Sequence, residues 1–283
     1  MSDDKRVYFE PNVQPSGGKK SGAVILIVIA IALIAGAVAA GGFFIVKNLD
    51  KIKNFEPKLP QNKYSSFSEY GYSTGDGEVS ADKLSGIDVD WVGGKILIEP
   101  YEGETVKLTE TGAQSEEMKM RYIVANGKLS VKYCKSGFNL DINSAKTLTV
   151  NVPYGIVFKT VNIDCVGADV TVKDIKTSVF EVDTVSGNIA FSGEAEKIEM
   201  NTVSGNSEIY VKTLKKYEVD TVSGKNVLYL SSDISGFKVS FDSVSGNFEN
   251  RFAEGSPKTY GDGSVEIDCD TMSGSLIIEG FSE

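Results

Sequence analysis

Asp183-Thr184-Val185-Ser186-Gly187 recurs as Asn201-Thr202-Val203-Ser204-Gly205, Asp220-Thr221-Val222-Ser223-Gly224, Asp242-Ser243-Val244-Ser245-Gly246 and Asp270-Thr271-Met272-Ser273-Gly274. A degenerate copy, Asp164-Cys165-Val166-Gly167-Ala168, precedes them. From Cys165 through Thr184, Thr202, Thr221 and Ser243 to Thr271 the steps are 19, 18, 19, 22 and 28 residues. A period near 20 residues built on short apolar alternations marks repeats that bury their faces against one another.

The parity within each repeat gives the fold class. In Phe180-Glu181-Val182-Asp183-Thr184 the apolar residues lie two apart, turning Phe180 and Val182 inward and Glu181 and Asp183 outward. At Thr184-Val185 the parity shifts by one, so Val185, Gly187, Ile189 and Phe191 share the next inward face. Ile198 and Met200 hand over to Val203, Ile209 and Val211 in the same way, as do Ile267 and Cys269 to Met272, Leu276 and Ile278. Strand, corner, strand is one coil of an all-β domain, a right-handed β-helix-like β-solenoid. Stacked coils predict an inward column, Val182 over Met200 over Val219 over Phe241 over Cys269, at a spacing of about 4.8 Å. Glycine after serine suits a corner needing positive φ or a close backbone approach. A β-sandwich or meander is the alternative, but identical corners favour stacking, where each meets its own copy. The stretch from Arg251 to Asp262 reads as a loop off one face.

Before the repeats, Ile87–Trp91, Lys95–Glu99, Val106–Leu108 and Thr147–Val152 alternate as strands. Arg121–Val124 and Lys128–Tyr133 flank Asn126-Gly127, a type I′ hairpin signal. No long helical period appears after residue 46.

That limit matters because Ala23 to Val46 is 24 residues without a charge. As a helix it would span about 36 Å, enough to cross a bilayer core of about 30 Å. Ala37-Val38-Ala39 offers small residues for signal-peptide cleavage, but the apolar run continues to Val46 and a polar leader precedes it, favouring an uncleaved anchor. Lysines flank both ends, so the expected cytoplasmic N-terminus rests on reading the C-terminal part as envelope-facing. The chain divides into a cytoplasmic tail (1–22), a transmembrane helix (23–46), a juxtamembrane stalk (47–84) and the β-domain (85–283).

Residues 1–53 hold seven of the 29 Lys and Arg and four of the 39 Asp and Glu, leaving 22 against 35 and a net charge near −13 beyond them. Such a surface opposes phosphate contact, so no nucleic-acid partner is expected.

The residues from Ser85 to Glu279 resemble the putative-adhesin domains of bacterial envelope proteins. The likeness lies in Leu148-Thr149-Val150-Asn151-Val152-Pro153, the phased Val-Ser-Gly corners, and the closing Ser273-Gly274-Ser275-Leu276-Ile277-Ile278. It implies a β-helix-like fold, a place in cell-envelope or envelope-stress systems, and no associated catalytic residues.

Chemistry is sparse. The chain has no histidine, which removes Ser-His-Asp and Cys-His sites and the commonest zinc ligand. No phosphate loop or dinucleotide fingerprint is present. Cys165 and Cys269 face inward in the first and last coils, some 24 Å apart and far beyond disulfide reach. They and Cys134 read as buried free thiols.

The remaining candidate is the outward column Asp164, Asp183, Asn201, Asp220, Asp242, Asp270. It reads either as a cation or polysaccharide ladder or, preferably, as side chains capping their own corners. No catalytic, cofactor-binding or metal-binding residue is assigned, and no cofactor is expected. The sequence therefore points to a non-enzymatic bacterial cell-membrane protein, single-pass, with its acidic domain outside for adhesion, scaffolding or envelope-stress sensing. Its expected partners are the membrane and an envelope protein or cell-wall polymer. The alternative is a polysaccharide-active enzyme or a cation-dependent glycan-binding module; a signalling subunit is a third reading.

Overall fold

A computed structural model describes residues 64–138, 145–255 and 257–282. The tail and the apolar span at 23–46 lie outside the described residues, as do the first 17 residues of the 47–84 segment. Among the described residues the regular structure is all strand, and no helix is long and apolar enough to cross a membrane.

The strands form two series. The first runs Arg121–Ala125, Lys128–Lys132, Gly86–Asp90, Val157–Cys165, then 176–184, 197–204, Lys216–Ser223, Val265–Thr271 and Gly236–Ser243. The second runs Gly77–Ser80, Thr105–Thr111, Lys146–Pro153, Gly93–Tyr101, then 167–172, 189–193, Ser207–Val211, Lys225–Ser231, Ser275–Phe281 and Asn247–Asn250. Pairing is parallel from Lys128–Lys132 onward in the first series and from Lys146–Pro153 onward in the second. The sequence repeat is therefore also a register: Thr184, Thr202, Thr221 and Thr271 are successive Cα partners.

Rung order departs from chain order. The expected column placed Phe241 between Val219 and Cys269, but Val219 pairs with Cys269, which pairs with Phe241. The last repeat is inserted between its two predecessors, and residues 236–250 form the terminal rung. The expected loop at 251–262 makes this return. Its Thr259–Gly261 strand pairs antiparallel with 236–238, and Phe252 and Tyr260 pack on the buried Phe237. Such a cover blunts part of an edge that would otherwise template pairing with another chain. The other end is built alike, because Gly86–Asp90 pairs with Val157–Cys165 on one side and Lys128–Lys132 on the other.

Parity at the corners also differs from the alternation. Thr184, Thr202, Thr221 and Thr271 are buried, whereas Val244 and Met272 are 66% and 38% exposed. The inward series runs Phe180, Val182, Thr184 and then, five residues on, Ile189 and Phe191. The corner turns on the threonine, and the valine after it does not enter the core.

The Asn126-Gly127 hairpin forms as the sequence predicts, with φ of 53° and 74°. Packing extends before Ser85: Tyr64 and Leu84 are in the core and Gly77–Ser80 pairs with Thr105–Thr111. This stretch lacks a repeat to reveal it, so its composition resembles a stalk.

Candidate functional site

Four corners are clamped by their own threonines and a fifth by Ser243, whose hydroxyl oxygen accepts the Gly246 N–H. The hydroxyls of Thr184, Thr202 and Thr221 donate to the carbonyls of Ser186, Ser204 and Ser223 at 2.8, 3.2 and 3.0 Å. At Thr271 the hydroxyl oxygen instead accepts the Gly274 N–H at 2.7 Å. Gly205 and Gly224 adopt φ of 145° and 138°, and a Cβ there would lie 2.2 and 2.0 Å from the carbonyl oxygen of the preceding rung's glycine. No side chain fits that stacking.

Between corners runs a second ladder that the alternation did not reveal. Asp169 Oδ1 accepts the Asn188 N–H, Asn188 Oδ1 the Asn206 N–H, and Asn206 Oδ1 the Lys225 N–H, at 2.9, 3.3 and 2.9 Å. Asparagine directly after the corner glycine was the available signal.

The acidic column exists, in the order Asp164, Asp183, Asn201, Asp220, Asp270, Asp242. The corner bonds that the expectation gave to the acids are made at five corners by Thr184, Thr202, Thr221, Thr271 and Ser243. Asp183 is buried and accepts from Asn201 Nδ2 at 2.8 Å. Asn201 thus divides the column. Beyond it Asp220, Asp270 and Asp242 sit on successive rungs. Burial, then the Asp270 charge, raises the Asp220 carboxyl to about 6, and burial followed by Asp242 raises Asp270. Among the described residues no cluster of three His, Cys, Asp or Glu is arranged to hold a metal.

The most concentrated polar chemistry lies in the N-terminal cap, where sequence gave no signal. Lys146, whose side chain is fully buried, donates to Glu110 Oε2 at 2.7 Å, to the Met118 carbonyl at 2.5 Å and to the Tyr133 carbonyl. Its ammonium lies 4.8 and 4.3 Å from the ring centres of Trp91 and Tyr133. Burial lowers its pKa against the opposing pull of Glu110. Glu110 Oε1 accepts the Met120 N–H at 2.7 Å. The ammonium's three donors are all used, so the group is a packing device with no free hydrogen to offer a substrate.

The three cysteines are buried free thiols, and burial raises Cys165 to about 11 and Cys134 to about 12, far from the thiolate. A cleft of about 330 Å³ at the N-terminal end is lined by Glu78, Asp82 and Tyr122. Its Glu78 is bound to Thr105 and Lys107.

On the outer face of the second series, Tyr210 and Tyr229 are Cα partners on adjacent rungs. Their rings stack with centres 4.0 Å apart and planes 3° from parallel, and Phe281 meets Tyr210 edge-on at 5.8 Å. Each tyrosine lies eight residues beyond its corner threonine, a phase that the repeat alignment contains.

These features define a class: an all-β domain of stacked repeats with hydroxyl-clamped corners, side-chain ladders and one buried ion-pair clamp. The chain belongs to the Toastrack DUF4097 family, whose model matches residues 84–273. Two crystal structures similar to it are a "putative cell adhesion protein" from Clostridium sporogenes and a "putative adhesin" from Bacteroides fragilis. The first is 15% identical, covering 74% of this chain and all of that one, with a TM-score of 0.42. The second is 14% identical, covering 72% and 97%, with a TM-score of 0.41. A "putative lipid binding protein" from Parabacteroides distasonis is 13% identical, covering 75% and 96%, with a TM-score of 0.25. No curated protein matches the chain.

Proposed function

We propose that this chain is a non-enzymatic cell-envelope protein that presents an acidic β-solenoid outside the membrane for adhesion, scaffolding or envelope-stress sensing. The observation that carries this reading is the distribution of its ionisable groups. Carboxylates recur rung by rung as one kind of group, Asp183 buried and Asp220, Asp270 and Asp242 on adjacent rungs, and the buried Lys146–Glu110 pair is consumed in packing. Catalysis needs an acid, a base and a reacting atom brought together; here the column repeats a single kind of side chain along the stack. Parallel pairing in register supports the solenoid. The 24-residue apolar run supports a single-pass anchor, and the reading of the domain as envelope-facing puts residues 1–22 inside.

Protease added to intact cells tests this placement. The account expects loss of residues 85–283 with the first 22 residues protected. Removal of the N-terminal tail alone would reverse the orientation, and spontaneous release of the domain would replace the anchor with a cleaved signal peptide.

A further inference from the structure

The outward face of the second strand series carries one departure from its polar pattern. At the position eight residues past each corner, successive rungs present Ser192, Tyr210, Tyr229 and Glu279. Two residues earlier on the same face, Val227 and Ile277 are buried although they lie outside the main core. An apolar footing therefore accompanies Tyr229, while Glu208 holds the equivalent place beside Tyr210. Tyr229 covers one face of Tyr210; the other looks toward the short side chain of Ser192, and Tyr210 stays 37% exposed.

The step at Ser192 is built by the backbone. Register slips between Val172 and Ile175 opposite it, Asp174 takes a φ of 49°, and the Asp174 N–H donates to Ser192 Oγ at 3.1 Å. Bulges of this kind re-aim side chains next to sites. Beyond the step Lys173 pairs with Glu99 at 3.0 Å, and on the other flank Arg251 binds Glu279 and Glu249 at 2.6 and 2.8 Å. A flat ring at the 4.0 Å separation that Tyr229 keeps from the opposite face would rest above Ser192, with the Lys173–Glu99 pair beyond it and the Arg251 cluster screened off behind Tyr229.

We propose that the Tyr210 face above Ser192 binds a hexose ring of a neutral polysaccharide. A sugar ring offers an apolar C–H face to an aromatic ring and hydroxyls at its rim, which matches one aromatic shelf with a polar flank at Lys173 and Glu99. The net charge near −11 over residues 85–283 and the carboxylate of Glu208 beside the shelf disfavour polyanions. An open shelf, unlike an enclosed pocket, admits an internal unit of a long chain. This inference rests on the reading of the domain as a binding scaffold and adds the ligand class.

The test is calorimetric titration of the full-length chain, in a detergent without a sugar headgroup, with cellohexaose and with chitohexaose. At least one should bind. Tyr210→Ala should weaken that binding by about tenfold, the scale of one lost aromatic contact. Tyr210→Phe should retain it, and Tyr154→Ala, at a distant 66% exposed tyrosine, should leave it unchanged. If Tyr210→Ala does not fold, Ser192→Leu fills the step instead and should block binding equally. No binding of either sugar at roughly 10 mM, indifference to both Tyr210→Ala and Ser192→Leu, or tighter binding of dextran sulfate would overturn the site. Shortened oligosaccharide products would overturn the non-enzymatic reading instead, and would support the site if Tyr210→Ala suppressed them.

Discussion

The N-terminal cap, residues 64–138 and 145–153, and the repeat stack from Val157 onward share strand series but are held by different means. The cap concentrates its polar chemistry in one place, a buried lysine bound to a carboxylate and two carbonyls between aromatic rings. The stack spreads small, repeated bonds along its length, hydroxyl clamps at successive corners and a side-chain ladder from Asp169 to Lys225. A concentrated device fails when one residue fails, whereas a distributed one loses a rung's worth at a time.

The largest expected effect probes the cap. Lys146→Met should cost about 3–5 kcal/mol in urea unfolding, because Glu110 is left buried and uncompensated. Adding Glu110→Gln, which keeps an acceptor for the Met120 N–H, should recover part of that loss. A cost below about 1 kcal/mol would mean that the clamp adds little to stability. Lys215, 74% exposed and paired with Glu196 in the stack, should tolerate alanine within about 0.5 kcal/mol.

Next in size is the acidic column. Asp220 has a folded pKa raised to about 6, so between about 4 and 6 the folded state holds more protons than the unfolded chain. Stability from this group should therefore fall as pH rises through that window and return on acidification. Asp220→Asn should flatten this dependence and stabilise the domain at pH 7 by roughly 1–2 kcal/mol, allowing for partial solvation. An unchanged pH profile would show that neither burial nor the neighbouring carboxylates raise the Asp220 carboxyl.

Thr221→Val should cost about 1 kcal/mol, one clamp's hydrogen bond. A cost matching Lys146→Met would erase the contrast between the two regions.

The stack was legible because its period and alternation are local properties: Val182, Met200 and Val219 face inward as their spacing requires. The cap was legible only in its hairpin and strands. Lys146 precedes an alternating strand, and its partners Glu110, Met118 and Tyr133 converge through tertiary packing that spacing does not record. The corner parity misled because a valine after a threonine reads as core, while the turn geometry spends the inward position on the hydroxyl. The tyrosine shelf was present as a shared phase, but an outward aromatic pair carries no weight until adjacent rungs are known.

Rung order is the central claim, since it places the last repeat inside the stack and a cover at its end. Glu218 and Ser240 each pair with Asp268, from opposite sides. Neighbouring rungs lie about 4.8 Å apart, within disulfide range, and next-nearest rungs at about 9.6 Å are beyond it. Oxidising a Glu218→Cys, Asp268→Cys variant should give a crosslink visible by peptide mass mapping, while Glu218→Cys with Ser240→Cys should give none. The reverse pattern would put the repeats in simple chain order and contradict the account.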